Sequence, residues 1–311
     1  MQYLGEIISM GVAFSWTITA IASEVASKRL GVFTLNVWRM SAAFILTGLG
    51  MWIFTGQFMP VYASGRAWMW LTLSGLVGYA MGDYCLFRSY LAIGSRYGQL
   101  FMTLAPMAAA FMAWFTLGQH LTVNSIIAMI VTLLGIAISV LGRGDGKKIT
   151  LKLPLSGVLF GIGAGMGQGI GLVLSKIGLD YYIKDTPSYI LPSIQNYLPF
   201  SANMIRCLAG FLAFLLIMWV HQGFGMLHKS IHDKKGMSMT LIAVIFGPFI
   251  GVGFSLMAVQ YTAAGIASTL MALTPILIII PSHYIFGQPI TVKGVLGAVV
   301  SVLGVSLFFL H

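Results

Sequence analysis

Four ionisable side chains lie within or at the edge of long apolar stretches of the sequence: Glu24, Arg39, Asp83 and Arg206. Charged groups are costly inside a membrane, and those that occur there usually have a function. Asp83, in "YAMGDYCLFR", lies deepest, and it could contact a substrate amine or carry a coupling proton. A structural ion pair of Asp83 with Arg39 or Arg88 is the alternative.

Simpler interpretations exist for the other three residues. Glu24 is a second candidate for a coupling proton, but Lys28 and Arg29 follow it by about one helical turn. This spacing favours a surface ion pair. Arg39 and Arg206 are near the starts of their apolar stretches, where a long side chain can reach the lipid headgroups. We therefore expect both arginines to anchor their helices at the membrane surface.

The composition indicates that the chain is a membrane protein, so membrane helices must position these residues. The 311 residues are 58% hydrophobic and 8% charged, whereas roughly a quarter of a soluble domain is charged. The formal charge of +10 comes largely from Lys and Arg in short loops, so it indicates membrane orientation and not nucleic-acid binding. Cys85 and Cys207 lie in apolar segments and predict no disulfide framework. With no P-loop, catalytic triad or metal-ligand cluster evident, we expect no cofactor, no metal and no enzymatic activity.

Ten apolar segments are long enough to cross the hydrocarbon core as helices, which takes about 20 residues. They are predicted at 4–24, 34–55, 67–90, 97–117, 122–141, 156–176, 201–220, 239–260, 265–284 and 292–310. The segments lack the alternation of barrel strands. The polar break "GRGDGKKITLKLP" divides the chain into a first five-helix repeat (1–142), an inter-repeat loop (143–155) and a second five-helix repeat (156–311).

A constant offset relates the two halves. Pro106 and Pro275 are 169 residues apart, and the same offset places "FTLGQHLT" (115–122) on "YIFGQPIT" (284–291). We interpret these two phrases as turns, in which glycine ends one helix and threonine caps the next. In a rough alignment of the first helix of each half, Trp16 falls opposite Gln168.

Equivalent loops of the two halves differ in charge. Arg88 and Arg96 accompany the link after the third helix, whereas the equivalent loop, 261–267, has no charge. Because five is an odd number, consecutive five-helix repeats must cross the membrane in opposite directions, and the loop charges agree. The basic loops place both termini outside the cell.

The sixth segment, "GVLFGIGAGMGQGIGLVLSK", repeats glycine at every fourth residue. This spacing gives a bare helix face for close packing or for sliding. Its formal GxGxxG lacks the strand and acid of a dinucleotide site. The hinge or packing candidates of the chain are Gly161, Gly165, Gly169, Pro106 and Pro275.

Two five-helix halves whose fourth helices read "L-A-P" or "L-T-P" and end in Gly-Gln resemble the EamA-type members of the drug/metabolite transporter superfamily. The fold class is therefore expected to be all-α and integral to the membrane, with ten transmembrane helices as two inverted five-helix repeats around a central cavity. The resemblance implies a secondary transporter of alternating access, often an exporter of amino acids or similar metabolites. The family usually has Gly-Glu where this chain has Gly118-Gln119 and Gly287-Gln288.

The resemblance also implies which helices border the cavity: one, three, four, six, eight and nine. The substrate-contact candidates on them are Trp16, Tyr79, Asp83, Gln99, Thr103, Gln168, Gln260 and Ser268. Each could instead be a packed residue. We expect a monomer in the bacterial inner membrane that moves a small molecule, with the proton as a candidate coupling ion.

Two other functions stay open. An importer or exchanger of anionic metabolites, of the nucleotide-sugar or phosphate-sugar type, would need basic residues that converge in the cavity. An intramembrane enzyme or scaffold would need a catalytic pair at mid-membrane.

Overall fold

The structure is a computed structural model that covers residues 3–307 apart from 119, 121, 144–148, 152, 222–223, 263–266 and 268–269. The first half contains α1 (Leu4–Leu30), α2 (Val32–Thr55), α3 (Gly65–Gly75), a first π-helical segment (Leu76–Asp83), α4 (Tyr84–Phe101), a 3-10 turn (Met102–Leu104), α5 (Ala105–Leu117) and α6 (Val123–Val140). The second half contains α7 (Leu155–Asp185), α8 (Leu191–Ile194), α9 (Leu198–His221), α10 (Gly225–Ser230), α11 (Lys234–Val244), a second π-helical segment (Ile245–Phe249), α12 (Ile250–Tyr261), α13 (Thr274–Leu277), α14 (Ile279–Phe286) and α15 (Val292–Leu307).

Among the described residues, seven helices are long and apolar enough to cross a membrane. Two shorter apolar helical stretches, Thr274–Phe286 and Val292–Leu307, follow them. The chain is therefore a multi-pass integral membrane protein, while the count of ten spans stays a prediction. The sixth predicted span is longer than expected, because α7 has 31 residues and ends at Asp185.

A single glycine separates two of the predicted spans. The sequence predicted helices at 67–90 and 97–117 with a link between them, but helical structure runs on from Gly65 to Leu117 over 53 residues. Gly94 interrupts it with φ 82° and ψ 157°. A positive φ is open to glycine because glycine has no Cβ. The predicted link is thus reduced to one residue, and Ser95 begins the next helix.

A short hairpin links the two halves of the fold, which is otherwise helical as expected. Leu141–Arg143 forms β1, and Ile149–Leu151 forms β2. The two strands pair antiparallel, with Leu141 opposite Leu151. This hairpin lies between the two helical halves in the sequence.

Helices end at the glycine of both Gly-Gln phrases, as predicted, while Gln119 and Leu121 of the first phrase lie outside the described residues. Gly118 (φ 64°, ψ 19°) and Gly287 (φ 66°, ψ 19°) end their helices in the left-handed conformation. Thr122 Oγ1 accepts a hydrogen bond of 3.1 Å from the N–H of Ser125 at the start of α6. Thr291 caps α15 in the same way, since its Oγ1 accepts from the Gly294 N–H at 3.2 Å.

Each half inserts its first helix into the other half. In α1, Trp16 packs on Gly251, where an added Cβ would lie 2.7 Å from the indole Nε1. In α7, Gln168 packs on Gly82, where an added Cβ would lie 3.4 Å from the Gln168 backbone nitrogen. The two contacts are equivalent in the repeat, because Gly82 corresponds to Gly251 and Gln168 corresponds to Trp16. A second set of equivalent contacts joins Gly5 with Thr262 and Gly157 with Ile93.

The last helices of the two halves, α6 and α15, pack against each other. A Cβ on Gly135 would lie 2.3 Å from the backbone nitrogen of Ser301, and one on Gly304 would lie 2.4 Å from Thr132 Oγ1. Because the earlier residue of one helix meets the later residue of the other, the two helices run antiparallel. The contacts are exchanged by the 169-residue offset, so a pseudo-twofold axis relates the halves.

Candidate substrate and coupling site

Asp83 and Arg39 form a buried ion pair. Asp83 is 2% exposed and Arg39 is 7% exposed, and Nη1 of Arg39 donates a hydrogen bond to Oδ2 of Asp83. The guanidinium carbon of Arg39 also lies 5.1 Å from the ring centre of Phe87. The prediction that Arg39 reaches the headgroups is therefore wrong, because α2 begins seven residues earlier, at Val32, and this places Arg39 inside the helix packing.

The second oxygen of Asp83 is held by α7. Gln168 Nε2 donates to Asp83 Oδ1 at 2.7 Å and to the backbone oxygen of Gly78 at 3.0 Å. Gly78 and Asp83 both belong to the first π-helical segment. A π-helical turn is wider than an α-helical one and is frequent at functional sites, and here it leaves a carbonyl available to a side chain. The sequence candidates Asp83 and Gln168 thus form one hydrogen-bonded unit.

Next to this pair, Tyr79 connects two side chains of α9. Its hydroxyl donates to Oδ1 of Asn203, and the guanidinium carbon of Arg206 lies 4.6 Å from its ring centre. Arg206 is partly exposed. The prediction of Arg206 as a surface anchor is wrong, since its side chain points to the helix interface.

The polar cluster (Arg39, Tyr79, Asp83, Gln168, Asn203 and Arg206) exists once, although the fold is pseudo-symmetric. The second π-helical segment begins at Ile245, the repeat equivalent of Leu76. However, the equivalent of Asp83 is Val252, and that of Tyr79 is Pro248. The repeat supplies the π-helical backbone twice, while the side chains of Asp83 and Tyr79 occur only on the copy in the first half.

Three other substrate-contact candidates have their described contacts elsewhere. Gln99 Nε2 donates to the Tyr90 hydroxyl at 2.7 Å, and Thr103 Oγ1 donates to the backbone oxygen of Leu100 at 2.7 Å. Trp16 packs against a small apolar cluster of the second half. The side chain of Gln260 and all of Ser268 lie outside the described residues.

The hinge and packing candidates lie in helix contacts. Pro106 is within the first turn of α5, and Pro275 has the equivalent place in α13. Gly161, Gly165 and Gly169 bring α7 against the end of α4 and the start of α5. An added Cβ would lie 2.5 Å from the ring of Phe101, 2.6 Å from its backbone oxygen and 2.2 Å from the backbone oxygen of Ala105, respectively. Close packing is thus shown, and a sliding motion stays a prediction.

Glu24, the second coupling candidate, closes one end of the helix bundle. The predicted pair with Lys28 exists at 2.5 Å, but the carboxylate is fully buried and not at the surface. Its other oxygen accepts a hydrogen bond of 2.6 Å from the N–H of Ser95, directly after the break at Gly94. A carboxylate is favourable there because the N-terminus of a helix carries partial positive charge.

The second Gly-Gln turn packs against the same end of the helix bundle, next to Gly94 and Arg96. Nη1 of Arg96 donates to the backbone oxygen of Pro289 at 2.7 Å. The side-chain nitrogen of Gln288 lies only 1.9 Å from the position that a Cβ would take on Gly94. We name these residues, together with Glu24, Lys28 and Ser95, the end cluster. The end cluster joins α1 to the start of the fourth predicted span, and it joins that span to the turn before α15.

Two small pockets lie in the described part of the structure, away from the predicted substrate contacts. The two best-formed pockets there have a volume of about 10 Å³ each, which is about the space for one water molecule. One is lined by residues including Met51, Tyr62 and Tyr197, and the other includes Arg96 and Pro275. Neither is lined by a predicted substrate-contact residue.

Comparison with known proteins adds two findings. Residues 3–141 and 155–310 each match the model of the EamA-like transporter family. A solved structure, titled only as the crystal structure of a protein, aligns with 99% of this chain and 97% of its own, with a TM-score of 0.62 and 15% identity. That likeness supports the fold alone. No curated protein matches.

Proposed function

Because the chain belongs to the EamA-like transporter family, we propose that it is a secondary transporter that moves a small metabolite by alternating access. Its substrate is an amino acid or a similar solute, and its direction is export. The observation that carries this proposal is the buried polar cluster around Asp83, which lies where the two halves interlock. A charged group is retained inside a membrane protein mainly where it serves a substrate or ion path.

The proposed topology is ten spans in two oppositely oriented repeats. The break at Gly94 supports two spans within residues 65–117. The antiparallel packing of α6 on α15, through the equivalent pairs Gly135–Ser301 and Gly304–Thr132, supports the inversion. We propose that the protein lies in the bacterial inner membrane as a monomer with both termini outside.

Alternating access needs an end that opens, and the end cluster provides one. It joins three separate elements through two hydrogen bonds, from the Ser95 N–H to Glu24 and from Arg96 to the backbone oxygen of Pro289. Separation of these groups would open a path towards the polar cluster. The glycine faces of α7 and the prolines that begin α5 and α13 lie next to the elements that would have to move.

Asp83 is the proposed coupling residue. Protonation would remove its negative charge and weaken its bonds to Arg39 and Gln168. The same event would change the charge of the site and loosen the first π-helical segment from α2 and α7. The alternative is a purely structural ion pair, and transport measurements on Asp83→Asn separate the two.

One observation favours a second candidate, the transport of anionic metabolites such as nucleotide sugars or phosphate sugars. Such a function needs basic residues that converge in the interior, and the buried cluster contains both Arg39 and Arg206. An intramembrane enzyme has no comparable support, because Asp83 is engaged by Arg39 and Gln168.

Flux into proteoliposomes tests the proposed function. We expect uptake or release of at least one member of a panel of amino acids, polyamines, nucleosides and anionic sugars, above the level of protein-free liposomes. Tight binding of solutes without flux of any of them would contradict the transport proposal.

A further inference from the structure

We propose that Arg206, with Asn203 beside it, recognises a carboxylate on the transported solute. This inference rests on the proposed function and specifies the substrate class of the same site. It starts from three hydrogen-bond donors in the polar cluster: Nε of Arg39, Nε of Arg206 and Nδ2 of Asn203 are buried and have no hydrogen-bond partner among the described residues. Buried donors of this kind are uncommon in folded proteins, because each loses its hydration without compensation.

The charges of the cluster point to an anion. Two guanidinium groups, on Arg39 and Arg206, are accompanied by one carboxylate, on Asp83. Arg39 takes that carboxylate in an ion pair, whereas Arg206 has no ion pair among the described residues. One positive charge is therefore in excess in an environment where an uncompensated charge is costly. A ligand with a single negative charge would neutralise it, while a phosphate with two charges would reverse the imbalance.

The geometry selects Arg206 as the recognising group. Nη1 of Arg39 is already bonded to Asp83, whereas the guanidinium carbon of Arg206 lies 4.6 Å from the ring centre of Tyr79 and has no ion pair among the described residues. Arg206 is partly exposed, while Arg39 is only 7% exposed. A solute can therefore reach Arg206 more readily than Arg39.

Asn203 completes the site. It is 3% exposed and lies three positions before Arg206, so both side chains share a face of α9. The Tyr79 hydroxyl donates to its Oδ1, which fixes the amide and leaves Nδ2 as a free donor. An arginine fork with a second N–H donor beside it matches the two oxygens of a carboxylate, and charge-assisted hydrogen bonds of this type are about twice as strong as neutral ones.

Thermal unfolding of the purified full chain in detergent tests the proposal. The probes are two pairs that differ only in the carboxylate, benzoate against benzamide and L-phenylalanine against L-phenylalaninamide, together with inorganic phosphate. Each is used at about 10 mM, tenfold above a Kd of ~1 mM. We expect the carboxylates to raise the unfolding temperature, and their amides and phosphate to leave it unchanged.

Three variants assign the effect. Arg206→Gln should weaken the apparent affinity for the carboxylate roughly 10- to 100-fold. Arg206→Lys should keep part of it, because the charge remains but the fork is lost. Arg88→Gln is the matched control, since Arg88 is exposed beside the rings of Tyr84 and Phe160, and it should bind as the parent does. If Arg206→Gln does not fold, as judged by gel filtration, the reduced affinity of Arg206→Lys carries the test.

Several results would overturn the proposal: no carboxylate raises the unfolding temperature, amides act as well as carboxylates, phosphate acts more strongly than every carboxylate, or Arg206→Gln binds unchanged. The proteoliposome assay separates this inference from the proposed function. Carboxylate binding without flux would support the proposed recognition site and contradict the proposed transport function. Flux of cationic or neutral solutes without carboxylate binding keeps transport and contradicts the recognition site.

Discussion

Ser301 donates a hydrogen bond of 3.4 Å to the backbone oxygen of Thr132, and these two residues have the same position in the two halves of the chain. A contact between equivalent positions occurs where a twofold axis passes between them. The glycines on either side, Gly135 and Gly304, allow the close approach, because an added Cβ on either would overlap the opposite helix. The axis therefore runs through the α6–α15 contact.

The first prediction concerns these two glycines. Gly135→Ala and Gly304→Ala should each destabilise the protein by about 1–3 kcal/mol, as expected for overpacking of a close contact, and by similar amounts, because the positions are equivalent. Thermal unfolding in detergent measures the effect. Gly11→Ala is the control: nothing lies within 4 Å of a Cβ at this helical position, so it should be neutral or stabilising. Unequal losses at the two sites would count against the symmetry.

The second prediction concerns the buried ion pair. Asp83→Asn should lower stability by about 3–5 kcal/mol, because it leaves the Arg39 charge buried without a partner. The double variant Asp83→Asn with Arg39→Gln should recover part of this loss. As a control, Asp185→Asn removes a pair whose arginine, Arg66, is 63% exposed, and it should cost at most ~1 kcal/mol.

The same Asp83→Asn variant tests coupling. If Asp83 carries the transported proton, flux in proteoliposomes should lose its dependence on the pH gradient while binding of the substrate persists. Unchanged pH dependence of flux in Asp83→Asn would reduce Asp83 to a structural role.

The third prediction concerns the end cluster. Glu24→Gln should weaken the bond to the Ser95 N–H, since a charged acceptor is about twice as strong as a neutral one, and should shift the protein towards its open form. In a background with Cys85→Ala and Cys207→Ala, a Ser95→Cys side chain should then react with maleimide roughly 10-fold faster, which corresponds to about 1.4 kcal/mol. Glu6→Gln is the control, because Glu6 bonds Thr262 near the start of α1. Equal maleimide reaction rates with and without Glu24→Gln would show that the bond from Ser95 to Glu24 does not keep this end closed.

The fourth prediction concerns Asp233, outside the membrane-spanning segments. The Gly236 N–H, and then the Arg29 side chain, stabilise its carboxylate and lower its pKa below the usual value. A depressed folded pKa contributes stability that is present above the unfolded pKa and is lost as the pH falls through the folded one. The unfolding temperature of the parent should therefore fall below pH ~4 more steeply than that of Asp233→Asn. Parallel curves for the two proteins would contradict the assignment.

The repeat and its turns could be predicted from the sequence, because they depend on local patterns. A Gly-Gln pair between two apolar segments predicts the end of a helix, and Gly118 and Gly287 end their helices in this way. Pro106 and Pro275 fixed the offset between the halves. A separate rough alignment of the first helix of each half placed Trp16 opposite Gln168, and the structure shows both in equivalent helix contacts.

The depth of Arg39 and Arg206 could not be predicted, because it depends on how α2 and α9 rotate against the first π-helical segment. Sequence distance from the start of an apolar stretch says nothing about that rotation. Glu24 was misplaced for a similar reason, since its partner Ser95 is 71 residues away. Asn203 was missed altogether, although a signal existed: it opens "NMIR", the repeat equivalent of "NVWR", beside an arginine that the first half also has.

The insertion of α1 into the second half has a consequence for biosynthesis. Its contact at Gly251 does not exist until most of the chain has left the ribosome, so α1 must wait in the bilayer without its final neighbour. The helix is suited to that wait, because Ser9, Thr17 and Thr19 donate their hydroxyls to backbone oxygens of α1 itself. A newly made first half would therefore tolerate lipid on this face, and it would close only when the second half arrives.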